Sequence, residues 1–91
     1  MEYDVSKNFG EVYKVLLKTY KCTKIAHSMG YTTTRQLYNS IEGKSMMSTR
    51  AISNLVQVFD VNPKYIFCGK GAMFLSQENE IDIKFNYHSN T

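Results

Sequence analysis

Acidic residues are nearly missing from the middle of this chain: residues 12–50 carry seven Lys or Arg and one acid, Glu42. Cysteine and proline are also scarce, with two of the first and one of the second. The cysteines, Cys22 and Cys68, stand 46 positions apart, with no CxxC and no histidine at metal-ligand spacing. That density is too low for a small disulfide-built secreted scaffold, so reduced thiols are expected, with a lone Cys22–Cys68 disulfide as the alternative. No apolar run approaches the roughly 20 residues needed to span a bilayer, and the first residues, MEYDVSKN, are polar. The expected compartment is therefore the cytoplasm, without membrane attachment. No serine stands with a histidine and a carboxylate in a recognisable arrangement, and no glycine motif would cradle a phosphate. His27, with Cys22 five positions before it, makes no working pair. Neither an enzyme nor a metal or cofactor is expected.

What is present fits a small helical domain. The chain has 91 residues, 43% of them hydrophobic, enough to close one core of four or five helices but not to frame a large cleft. Its net charge of +3 is modest, yet the basic stretch at 12–50 contrasts with residues 51–91, which hold three bases against four acids. A positive field concentrated in one segment favours a polyanionic partner, although it also describes a solvated basic face.

Taken in order, residues 1–5 alternate Met1, Tyr3 and Val5 with Glu2 and Asp4, a short strand pattern. From Asn8, with Glu11 as the second half of a capping box, a first helix carries Phe9, Val12, Leu16 and Tyr20, and Val15 and Leu17 widen that stripe. Residues 23–44 follow as helix, glycine turn and helix. Ile25, Ala26 and Met29 share one face, Gly30 permits the sharp turn, Thr32 or Thr33 caps the next helix, and Gly43 ends it. Leu37 and Ile41 point back at the preceding helix. After the loop GKSMMS, Ser48 caps a helix with Ile52, Leu55, Val56 and Phe59 on one face. Asn62 followed by Pro63 starts a short helix that carries Tyr65, Ile66 and Phe67 and closes at Gly69.

The second helix of the 23–44 unit then turns Thr34, Arg35, Tyr38 and Asn39 outward. Arg and Asn are the side chains whose paired hydrogen-bonding groups match guanine and adenine edges in the major groove. Arg35 and Asn39, one turn apart, suit that task. A solvated helix face is the plainer account of the same residues.

The phrase Phe59-x-Val61-Asn62-Pro63-x-Tyr65-Ile66-Phe67-x-Gly69-x-Gly71-x-Met73-Phe74 resembles the closing helices of phage repressors of the lambda repressor and Cro-like helix-turn-helix superfamily. With Ala26 and Gly30 at the usual separation and Gly43-Lys44 after the second helix, the resemblance covers about residues 9–75. It implies an all-α, five-helix DNA-binding domain over residues 1–75, with a short strand possible at each terminus, and a tail at 76–91. The chain departs from the family in a turn one residue longer, a shortened link between the first two helices, Tyr65 in place of tryptophan, and Ser40 where an aliphatic residue is usually buried. By resemblance, helix 33–42 enters the major groove of a double-stranded operator, and Thr34, Arg35, Tyr38 and Asn39 read bases. Lys24, Ser28, Tyr31, Thr33, Lys44, Ser45 and Arg50 would hold phosphates, which fixes register rather than sequence choice. Tyr31 fits either role, and the rings of Tyr31 and Tyr38 could instead simply cover the turn. The resemblance fits a free-standing small repressor or a domain cut from a longer one. An antitoxin or an adaptor that holds a protein partner, such as a toxin or antirepressor, is the alternative use of the same fold.

Beyond that resemblance, Ile81, Ile83, Phe85 and Tyr87 alternate with Asp82, Lys84 and Asn86, a half-buried strand pattern. A lone strand needs a partner for its backbone groups. It has two options, the N-terminal residues 1–5 or the same segment of a second copy. Because dimeric readers bind two half-sites as a unit, a homodimer with residues 81–87 in its interface is expected. Ending the chain at Glu80 should then convert a dimer to a monomer in light scattering; an unchanged dimer, or a monomeric full chain at high concentration, would exclude this interface.

Overall fold

A computed structural model of the chain describes residues 4–77. Their regular elements are helices: α1 (Val5–Leu16), α2 (Cys22–Ser28), α3 (Thr34–Ile41), α4 (Thr49–Phe59) and α5 (Pro63–Cys68), and residues 75–77 are again helical, at the edge of the described residues. The described residues contain no sheet, and the isolated antiparallel bridge Val61–Phe74 is their β pairing. An all-α domain is thus observed. The expected strand at 81–87, with Ile81, Ile83, Phe85 and Tyr87, lies outside the described residues, as do residues 1–3.

The chain start differs from the sequence expectation. Asp4 is the N-cap of α1, its carboxylate accepting from the Lys7 amide at 2.9 Å, and Val5 is already helical. A five-residue alternation gives a strand little support, whereas a short acidic side chain at an N-cap satisfies an otherwise orphaned amide. Asn8 and Glu11 do not form a capping box. Asn8 Nδ2 donates to the Ile66 carbonyl at 3.0 Å, and Tyr65 Oη donates to Glu11 Oε2 at 2.6 Å, so both residues tie α1 to α5. Asn8 thereby fills one of the carbonyls left open at the end of α5. Gly69 closes that end at φ 69°, where a side chain would meet Asn8 Oδ1 at 3.0 Å.

The core draws on every helix. Phe9, Val12 and Leu16 of α1 meet Ile25 and Ala26 of α2, Leu37 of α3, Leu55 and Phe59 of α4, and Ile66 of α5. Tyr20 does not continue the α1 stripe as expected, because the helix stops at Leu16; its ring instead sits 4.9 Å from that of Phe59. Tyr13 widens the stripe, Leu17 is exposed, and Val15 is half-buried.

The stretch after α4 folds back on itself. Asp60 adopts a left-handed conformation at φ 61°, its carbonyl accepts from Leu75 N at 2.8 Å, and its carboxylate accepts from Ser76 N at 2.9 Å. Asn62 caps α5 through Lys64 N at 3.1 Å while its Nδ2 donates to the Ala72 carbonyl at 2.9 Å. The phrase from Phe59 to Phe74 is therefore one hydrogen-bonded unit.

Leu37 is fully buried and Arg35 is exposed. Leu37→Ala should lower unfolding free energy by about 2–5 kcal/mol in denaturant titrations, with Arg35→Ala near wild type. An unaltered Leu37→Ala protein would mean that the inward face of α3 is elsewhere.

Candidate nucleic-acid interface

The unit α2–turn–α3 is built by local chemistry. Gly30 stands at φ 93°, Gly30 N donates to the His27 carbonyl and Tyr31 N to the Ala26 carbonyl, each at 3.0 Å. These two bonds form the Schellman ending that an αL glycine permits. Thr33, rather than Thr32, is the N-cap of α3. Its hydroxyl accepts from Gln36 N, and Gln36 Oε1 accepts from Thr33 N at 3.3 Å, a complete capping box. The same Oε1 also accepts from the Thr32 amide at 2.8 Å. At the far end Gly43, at φ 78°, repeats the Schellman ending, with Gly43 N bonded to Ser40 O and Lys44 N to Asn39 O at 2.9 Å.

Packing fixes which side of α3 faces out. Leu37 is fully buried and Ser40 is 1% exposed. Ser40 Oγ donates to the Gln36 carbonyl at 3.2 Å and shares a 2.9 Å hydrogen bond with Tyr31 Oη. The Tyr31 ring packs against the core, so this residue is occupied internally. Ile41 packs against the core and also reaches α1, 3.5 Å from where a side chain on Gly10 would begin.

The outward side is a shallow polar depression lined by Thr34, Arg35, Tyr38, Asn39, Glu42 and Lys44. All four expected base-reading residues are brought together there, joined by one residue of the expected phosphate set. Tyr38 is 42% exposed, and its ring meets Tyr13 of α1 edge-on, with centroids 6.3 Å apart. Lys44 Nζ lies 2.9 Å from Glu42 Oε2. Lys24, Thr33 and Arg50 are exposed and Ser28 half-buried, but with Tyr31 they stay outside this depression; Ser45 lines another, more apolar one with Met46, Met47, Ile52 and Phe67.

Glu42 was not singled out from the sequence. The signal was available, since position 42 lies seven after Arg35 and four after Tyr38, which puts it on the same helical face.

Cys22 and Cys68 are both free thiols. Among the described residues no helix is long and apolar enough to cross a membrane, and no group of three metal-ligating side chains occurs. No protein-family model matches the chain, and neither a curated protein nor a solved structure matches it significantly.

Burial, helped by a hydrogen bond with Tyr38, pushes the Tyr13 phenol well above the usual tyrosine range. The folded protein holds this proton after the unfolded chain has begun to release it near pH 10, so the associated stability is complete below about pH 10 and is lost as pH rises further. Across thermal melts from pH 8 to 11, Tyr13→Phe should lose less melting temperature than wild type. Equal losses would exclude Tyr13 as the titrating group.

Proposed function

We propose that the chain is a sequence-specific double-stranded DNA-binding regulator of the phage-repressor type, with α2 and α3 as its helix-turn-helix. The observation that carries this reading is the outward face of α3. Arg35, Tyr38 and Asn39 lie together in one open depression, opposite the buried Leu37 and Ser40, in a segment with seven bases and one acid. Arg and Asn match guanine and adenine edges in the major groove, and a helix is the element that fits that groove. Exposed Lys24, Lys44 and Arg50 on the same segment would supply phosphate contacts, the main source of affinity for nucleic acid. Repression is taken from the family resemblance, and a homodimer through residues 81–87 is part of the same proposal.

Selection from a random duplex pool should enrich a defined site. On that site Arg35→Ala or Asn39→Ala should each cost about 1–3 kcal/mol while changing random-duplex binding little. Lys44→Ala should weaken both duplexes similarly and lower the salt dependence of binding. A pool that yields no enriched sequence, or an Arg35→Ala penalty equal on both duplexes, would sink the base-reading assignment.

A further inference from the structure

Glu42 is poorly explained by folding. It is the C-cap of α3, where the helix dipole disfavours a carboxylate and favours a cation. It faces outward, in line with Arg35, Tyr38 and Asn39, and lines the same depression. Among the described residues its carboxylate pairs with Lys44 Nζ, at 2.9 Å, and the two side chains are 53% and 70% exposed. Pairs so open to water contribute little to stability, because both ions keep most of their hydration and two flexible side chains must be ordered. It is also the one ion pair among the described residues, and Glu42 is the single acid of residues 12–50.

The Lys44 backbone is fixed by its amide bond to Asn39 O, at 2.9 Å, so its ammonium stays within reach of Glu42. The carboxylate holds the lysine proton more tightly, raising the Lys44 pKa above its ordinary value. A phosphate oxygen seeking Lys44 must therefore displace a carboxylate and also approach its negative charge.

We propose that Glu42 is an internal competitor for phosphate: by occupying Lys44 it weakens the sequence-independent part of DNA binding. This role presupposes that the chain binds DNA. Phosphate contacts position the protein and carry no sequence information, so reducing them enlarges the share of affinity that comes from base edges. The competitor acts at the end of the reading helix, where it also faces the groove.

A double-mutant cycle on the full chain tests this, with a random-sequence duplex at low salt as the probe. Glu42→Gln should raise affinity roughly 3–10-fold and steepen the salt dependence by about one released ion. In a Lys44→Gln background the same change should gain at most half as much on a logarithmic scale. A larger gain there means that Glu42 acts by general charge and not through Lys44, and it overturns the proposal, as does no gain in the wild-type background. Glu42→Gln should melt no lower than wild type, since its carboxylate sits at the unfavourable end of the helix dipole, and the Lys44 amine should titrate at lower pH in Glu42→Gln by NMR. An unmoved amine would overturn the pairing itself. If the wild-type chain binds no duplex at low salt, the DNA reading falls and this role with it; if it binds but Glu42→Gln changes nothing, this role falls alone.

Discussion

Burial of one side of α3 by Leu37 and Ser40 is the constraint on which the site depends. An eight-residue helix is marginal in isolation, so its orientation is decided by what it packs against rather than by its own propensity. With Leu37 turned into the core and Ser40 beside it, the helical period places Arg35, Asn39 and Glu42 on the far side. Tyr38 and Ile41 share the flank that faces α1, the Tyr38 ring meeting Tyr13 and Ile41 lying near Gly10. The helix is thus braced by α1 as well as by α2. That second brace matters because the turn before it is long, and a turn alone would leave α3 free to roll.

A serine on the inward face would ordinarily be costly, since a buried hydroxyl without a partner forfeits its hydrogen bonds to water. Here the hydroxyl is satisfied twice, by the Gln36 carbonyl and by Tyr31. No buried side-chain nitrogen or oxygen among the described residues lacks a partner. The inward serine and the half-buried tyrosine therefore belong together: the Tyr31 side chain packs against the core and brings its hydroxyl to Ser40 Oγ. The same pairing joins the turn to the last helical turn of α3, which stiffens the connection between the two helices.

Local chemistry was legible in the sequence, and distant pairing was not. A threonine cap before α3, the Ser48 cap, the Asn62-Pro63 start and the glycines at 30, 43 and 69 all act within a few residues, so the chain order states them directly, whereas the choice of Thr33 over Thr32 shows only in the bonds of Gln36. Asn8 and Glu11 show the other case. Their spacing matches a capping box, but their partners, Ile66 and Tyr65, lie 58 and 54 positions away, and the competing cap at Asp4 begins the helix earlier. Tyr13 is different, since it stands four after Phe9 and three before Leu16 on one helical face; its burial is legible in that spacing, and its contact with Tyr38 is not. The outward set on α3 was legible because it is the complement of the buried set. Glu42 escaped because an acid in a basic segment reads as surface decoration until its partner is seen.

The two ends of the α2–α3 unit share a geometry with different consequences. Both helices close with a left-handed glycine followed by a residue whose amide bonds back to the carbonyl five positions earlier. After Gly30 that residue is Tyr31, whose side chain turns inward and adds to the core. After Gly43 it is Lys44, whose side chain turns outward into water beside Glu42. In the second case the backbone supplies position while the exposed ammonium keeps its freedom to exchange partners. A lysine anchored this way needs no rearrangement of the fold to move from a carboxylate to another anion, so the energy of that exchange is set almost wholly by local charge and ionic strength.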